Sequence, residues 1–359
     1  MSIAETKMQF DNLKIIDNEK YKICKSSDYN SIFNKKTGFF ARWGRTLKDD
    51  PVYAPSPELL DIEISAGGNC LGKCSKCYKG NGVKGDPTHN MTLEEFKIIF
   101  DKINNNRLLC QVAFGILNIS TNEEFFSMMK YTRENGVIPN YTCHGLDVTP
   151  EIAKKTSELC GAVAVSIVNK EKTYDAIKMF SIDNNMNQCN IHYTLSLEDY
   201  ERAFEIVDDI SSDPRLKNIN AIVFLQYKHK NPNSPYHSVV DVEKYKKLIE
   251  YCEEKNVTYG MDSCSCNLYL EAIKDRKNKK QLELYSDPCE SLLASFYVNC
   301  KGIGYPCSFG EGIEEGIDIF NCDDFVEDVW NSRLAIKWRK KLLKNNRACP
   351  IYDLAMETV

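Results

Sequence analysis

What the chain lacks narrows its function first. No uninterrupted apolar run approaches the roughly 18 residues that a membrane-spanning helix needs, so no membrane partner is expected. The start, Met1-Ser2-Ile3-Ala4-Glu5-Thr6-Lys7, has neither the basic opening nor the apolar core of a secretion signal, and a cytoplasmic location is expected. Charge of one sign is scarce. The net charge of -5 and the pI near 5.7 argue against nucleic acid as a partner of the bulk surface. Cysteine is plentiful by contrast, with 16 in 359 residues. In a reducing compartment these are poor disulfide candidates. Clustered ones suit metal ligation, while Cys110, Cys160 and Cys189, inside apolar segments, read as small buried core residues.

The densest cluster lies in residues 62–78, where Cys70, Cys74 and Cys77 are spaced C-x3-C-x2-C. They follow an apolar run, Leu59-Leu60-Asp61-Ile62-Glu63-Ile64, that reads as a buried strand, and Gly67 and Gly68 let the chain turn out of it. Three thiols on one tight loop are an odd number for disulfides. As thiolates they suit a metal centre. Three ligands leave a fourth position open, which closed structural zinc sites do not. Zinc remains a reading of this loop, with Cys143, His144 or His192 as a fourth ligand.

Around that loop the chain alternates. Tyr29 to Phe33 and Phe39 to Trp43 flank Asn34-Lys35-Lys36-Thr37-Gly38 and predict a β-hairpin, either a cover for one end of the domain or a docking edge. Strands are expected over 59–65, 109–117, 137–143, 162–167, 188–195 and 219–227, with a short seventh at 257–261. Helices fall between them, one opened by Thr92 with Glu95 three residues on, a capping box. Repeated βα units imply a parallel sheet, and six in succession imply an α/β fold built as a partial (β/α)6 TIM-like barrel. In such barrels the chemistry sits on the loops after the strands, where the three-cysteine loop lies. His144 and Asp262-Ser263-Cys264 also fall at strand ends, and Gln226-Tyr227-Lys228-His229-Lys230 reads as a solvated loop whose cations could meet a carboxylate. After residue 262 the alternation stops and cysteines return at 264, 266, 289, 300, 307, 322 and 349. The expected organisation is an N-terminal hairpin extension and linker at 1–58, a barrel at 59–262 and a small cysteine-rich α+β domain at 263–359.

C-x3-C-x2-C after the first strand of a βα barrel resembles the radical S-adenosylmethionine superfamily. The resemblance implies that Cys70, Cys74 and Cys77 hold a [4Fe–4S] cluster whose fourth iron binds S-adenosylmethionine. It also implies reductive cleavage to a 5′-deoxyadenosyl radical and an electron donor such as flavodoxin or ferredoxin. It assigns cofactor contacts to Tyr78, Asn118, Ser166, Asn169 and Ile222, the last with Leu225 at the adenine position. The chain departs from the pattern twice. Lys76 stands where an aromatic residue usually precedes the third cysteine, and Phe114-Gly115-Ile116-Leu117-Asn118 replaces Gly-Gly-Glu, leaving Asn118 to accept from the methionyl amine.

The tail resembles the SPASM and Twitch auxiliary-cluster domains. Cys289, Gly302 and Cys307 are spaced C-x12-G-x4-C, and Asp328 to Ser332, Trp338-Arg339 and Arg347 to Pro350 match the text that follows in those domains. That implies one auxiliary [4Fe–4S] cluster on Cys289, Cys307 and Cys349. The fourth position falls to Cys322, Cys300 or Cys264, or stays open, with Tyr352 where C-x2-C would end. The function implied is oxidative modification of a ribosomal peptide or protein by hydrogen abstraction. A small-molecule dehydrogenase or cyclase is the other enzymatic reading, and a zinc-stabilised binding protein the non-enzymatic one.

Overall fold

The computed structural model describes residues 8–80, 87–228 and 234–352; Met1–Lys7, His229 and Lys230, read above from sequence, lie outside them. The expected hairpin is there, as the second half of a four-stranded meander of β1 (Lys14–Asp17), β2 (Tyr21–Lys25), β3 (Asn30–Asn34) and β4 (Phe40–Trp43). Sequence reading missed β1 and β2, which are short and carry Lys14, Lys22 and Lys25 among their few apolar residues. The meander covers the entry ends of two later strands. Phe33 packs with Cys110 and Ile138. The buried Lys22 ammonium donates to the Leu109 carbonyl and lies 3.7 Å from Asp17.

The expected alternation then follows. It runs through β5 (Leu59–Glu63), the small pair β6 (Ser65–Ala66) and β7 (His89–Asn90), α1 (Leu93–Ile103), β8 (Gln111–Gly115) and α2 (Phe125–Glu134). It continues through β9 (Ile138–Cys143), α3 (Pro150–Leu159), β10 (Ala162–Ser166), α4 (Lys170–Lys178), β11 (Cys189–Leu195), α5 (Arg202–Ser212), β12 (Ala221–Gln226), α6 (Val242–Glu254) and β13 (Tyr259–Met261). Local chemistry sets the helix starts. Thr92 and Glu95 form the reciprocal capping box of α1, and Thr149 caps α3 ahead of Pro150. On α1, Phe96, Ile99, Phe100 and Ile103 recur at helical spacing and are all buried against the sheet. Strand β10, Ala162-Val163-Ala164-Val165-Ser166, is buried through its centre on both faces, as a parallel strand between helices must be.

The tail comprises α7 (Cys266–Ala272), α8 (Lys279–Leu282), β14 (Ser295–Val298), β15 (Ile303–Tyr305), β16 (Ile317–Asp318) and α9 (Arg333–Lys344). Its strands extend the main sheet, which runs β13-β12-β11-β10-β9-β8-β5-β14-β15-β16. Every pair from β13 to β14 is parallel, and β15 and β16 turn back antiparallel. The fold is thus mixed α/β with a large parallel sheet. Because β5 and β8 to β13 all point one way, their following loops gather at one edge. Among the described residues no helix is long and apolar enough to cross a membrane.

Candidate metal and cofactor site

The three-cysteine loop leaves the end of β5 and is held by the next two strand ends. Asn118, just past β8 and buried, accepts from the Leu71 N–H at 2.9 Å and donates to the Asn69 carbonyl at 2.9 Å and Thr121 Oγ1 at 2.8 Å. His144, just past β9, meets Asn118 Oδ1 through Nε2 at 2.8 Å and accepts from the Leu146 N–H at Nδ1. That pattern fits a neutral imidazole with its proton on Nε2, and burial pushes the His144 pKa down, which agrees. The Asn118 oxygen thus already has two partners, so the amide proposed for a methionyl amine is engaged in clamping the loop.

Within the loop the thiols converge. A Cβ on Gly72 would sit 3.3 Å from Cys74 Sγ, 3.4 Å from Cys70 Sγ and 3.4 Å from the His144 ring. Burial, then the nearby Cys77 and Cys70, push the Cys74 thiol up to about 11 when no cation is present. Cys70 and Cys77 thus lie near enough to act on the Cys74 thiol, and three sulfurs gathered on one loop suit a positively charged partner. Among the described residues no three His, Cys, Asp or Glu side chains are gathered tightly enough for a single metal ion. A polynuclear cluster asks for wider spacing, because each thiolate binds a different iron.

The loop forms one wall of a cavity of about 640 Å³. Cys74, Lys76, Cys77 and Tyr78 face it from the loop. Thr142, Ser166, His192, Thr194, Leu225, Gln226 and Asp262 face it from the strand ends, and Ser308 and Phe309 close it from the tail. Of the residues assigned from sequence, Tyr78 and Ser166 therefore line the cavity. Asn169 caps α4, accepting from the Lys172 N–H at 3.1 Å. Ile222 is fully buried near the start of β12, and that strand reaches the cavity through Leu225 and Gln226 instead. Lys76 spans the cavity mouth to the end of β11, donating to the Thr194 carbonyl at 2.6 Å and to Asp199 at 2.5 Å, with its ammonium over the Tyr193 ring. His192 is held neutral by burial, its pKa lowered to about 4 despite Asp262 nearby.

A second cysteine group belongs to the tail, which lines the cavity through Ser308 and Phe309. The thiol of Cys307 is pushed up to about 11 by burial and then by Cys289, and that of Cys264 is raised by burial, with Asp262 and Cys289 adding to it. Tyr352 is likewise affected, after burial, by Cys349 and Cys307. Cys264, Cys289, Cys307 and Cys349 thus share one neighbourhood. Cys322, named first for the fourth position, does not belong there. Its buried thiol donates to the Ile319 carbonyl, and its charged neighbours are Lys102, Asp328 and Asp323. Cys300 faces Glu63, Lys79 and Glu311.

The tail motifs explain how this group is held. Gly302 has φ +78°, and a Cβ there would meet the Phe320 ring at 2.2 Å, so the hairpin that delivers Cys307 needs glycine. Trp338 donates to Ser291 Oγ at 2.9 Å, Arg339 to the Leu292 carbonyl, and Arg347 to the Cys289 carbonyl at 3.0 Å. α9 and the segment after it therefore fasten the Cys289 loop.

Sequence reading placed Gln226 and Lys228 in a solvated loop and passed over Lys79. Gln226 and Lys228 are buried, not solvated. Lys228 donates to Cys264 Sγ at 2.7 Å, lies 3.8 Å from Asp262 and sits 3.8 Å from the centre of the Phe309 ring. The sequence hint was only that a cation could meet a carboxylate. Lys79, two residues after Cys77, bridges Glu63 at 3.2 Å and Glu311, and donates to Tyr297 Oη at 3.1 Å, so it joins the first loop to the tail.

No protein-family model and no curated protein matches the chain. Solved structures do. A crystal structure of Streptococcus suis SuiB bound to the precursor peptide SuiA aligns over 91% of this chain and 90% of that one, with a TM-score of 0.70 at 12% identity. Native anSMEcpe with bound AdoMet and Cp18Cys peptide aligns over 82% and 86%, with a TM-score of 0.57 at 16% identity. The chain shares the fold of these two structures.

Proposed function

We propose that the chain is a radical S-adenosylmethionine enzyme acting on a peptide. Cys70, Cys74 and Cys77 would hold a [4Fe–4S] cluster with one iron left for S-adenosylmethionine, and Cys264, Cys289, Cys307 and Cys349 an auxiliary [4Fe–4S] cluster. Bound there, the first cluster with S-adenosylmethionine would supply the radical chemistry of hydrogen abstraction from the substrate. The observation that carries the reading is the convergence of the Cys70 and Cys74 thiols around Gly72, beside a cavity that the Cys307 loop also lines.

The chain's own residues divide the remaining work. Asn118 and His144 hold the cysteine loop in register with the strand ends. Gly72 leaves room for sulfurs on both sides. Ser166 offers a hydroxyl to the ribose or carboxylate, and Leu225 with Gln226 replaces Ile222 on the adenine side. Phe309 and the Lys76–Asp199 pair line the same cavity and would help keep water from its contents once it is filled. The sheet would curve as a partial (β/α)6 barrel over 59–262, with 1–58 and 263–359 as its appended units. Flavodoxin or ferredoxin would deliver the electron. A peptide substrate is supported by the two neighbours crystallised with peptides. The second cysteine group favours a net oxidation, a crosslink or dehydrogenation, because it offers an acceptor for the substrate radical's electron.

Anaerobic purification tests the reading. A brown protein with about eight iron and eight sulfide per chain, bleached by dithionite, is expected. Cys70→Ala should abolish 5′-deoxyadenosine formation, whereas Cys307→Ala should spare uncoupled cleavage. A colourless protein with stoichiometric zinc, or deoxyadenosine from the Cys70→Ala variant, would overturn it.

A further inference from the structure

Lys228 follows β12, and its side chain is nearly sealed from solvent. It reaches Cys264 Sγ at 2.7 Å, with Asp262 at 3.8 Å and the Phe309 ring across its ammonium at 3.8 Å. Burying an ammonium is costly unless it is paired. The strand end could have carried a neutral residue, yet it aims a full positive charge at one sulfur of the second cysteine group. Lys76 and Lys79, on the first cysteine loop, are paired to carboxylates: Lys76 to Asp199 and Lys79 to Glu63 and Glu311. For Lys228 the sulfur is the closer partner.

We infer that Lys228 is a positioning residue that sets the reduction potential of the auxiliary site through its hydrogen bond and charge at Cys264. The inference rests on the reading of Cys264, Cys289, Cys307 and Cys349 as cluster ligands. Adding one electron makes a thiolate-bound cluster one unit more negative. A fixed cation at hydrogen-bond distance from a ligand sulfur, in a site shielded from water, favours the more negative state and raises the potential. Asp262 also acts on Cys264 and opposes this, but the nearer Lys228 charge acts on that sulfur more strongly. Phe309 excludes solvent that would screen the charge. A raised potential suits a site that takes one electron from a substrate radical, the radical being oxidised and the cluster reduced by that one electron. The lysine is thus a device for oxidation, distinct from the residues that hold the cluster.

The test uses the full chain with Cys70, Cys74 and Cys77 replaced by alanine, which leaves only the second site to load. Reductive titration followed by EPR gives its midpoint potential, and iron and sulfide give its occupancy. Lys228→Met should lower the potential, Lys228→Gln should lower it less by keeping an N–H donor, and Lys228→Arg should restore most of it. An unchanged potential in a fully loaded Lys228→Met protein overturns the assignment. So does loss of the cluster in all three variants, which would make the lysine a structural prop. The underlying reading fails separately: a triple-alanine parent that binds no iron has no second cluster to tune.

Discussion

The ring of Tyr78, one residue past the third cysteine of the first loop, stacks on the ring of Phe309, two residues past Cys307, with centroids 4.4 Å apart and planes 26° from parallel. The two cysteine loops, more than two hundred residues apart in the chain, are thereby in direct contact. Such a pair contributes about 0.5–1.5 kcal/mol beyond the area it buries. Tyr78→Phe should leave the unfolding midpoint in denaturant nearly unchanged, and Tyr78→Ala should lower stability by about 1–2 kcal/mol. Equal midpoints for the two variants would mean the stack does not couple the loops.

Asn118 should matter more for holding metal than its distance from any thiol suggests. Its replacement by alanine orphans the Leu71 N–H, the Asn69 carbonyl and the His144 ring together. The cost is about 1–3 kcal/mol for the buried His144 ring left unpaired and less for the more open Leu71 and Asn69 backbone groups, concentrated in the loop that carries the cysteines. Asn118→Ala should therefore lose iron from the first site on anaerobic desalting while the second site keeps its iron. Retention of full iron would show that the loop holds its shape without the clamp.

The pH dependence of stability should carry the mark of His192. Burial lowers its pKa from 6.5 to about 4 in the folded protein. Between those values the unfolded chain binds the proton and the folded one does not. The stabilisation is complete above pH 6.5 and is lost as pH falls towards 4. Between pH 7 and 5.5 the wild type should lose about 1 kcal/mol more than His192→Gln in denaturant titrations. Parallel pH profiles would exclude the buried neutral imidazole.

The bridge at Lys79 predicts an asymmetry. Lys79→Met leaves Glu63 and Glu311 facing each other without their cation, and Glu63 is already pushed up by burial. Breaking one side of a buried ion pair costs about 3–5 kcal/mol. Tyr297→Phe, which removes one hydroxyl from the same group, should cost about 1 kcal/mol. Unfolding midpoints in that order support the network, and a Lys79→Met protein as stable as Tyr297→Phe would argue that solvent reaches it.

The boundary between what sequence carries and what folding adds falls at contact range. Apolar periodicity, the Thr92–Glu95 box and Thr149-Pro150 are local chemistry, and each produced its element where expected. The β3–β4 hairpin was legible from its aromatic flanks, whereas β1 and β2 were too short and lysine-rich to signal themselves. C-x3-C-x2-C and C-x12-G-x4-C named the two cysteine loops, because loop ligands and the turn at Gly302 need fixed spacing. Spacing could not say that Cys264 joins the second group and Cys322 stays in the core. Nor could it say that Lys228 leaves a seemingly solvated stretch for a buried sulfur, or that Asn118 clamps the loop. Those outcomes depend on which strand ends become neighbours. The parallel sheet decides that for residues 70, 118, 144, 228 and 264 by carrying them to one edge, while β14 beside β5 brings in the tail, whose Phe309 meets Tyr78.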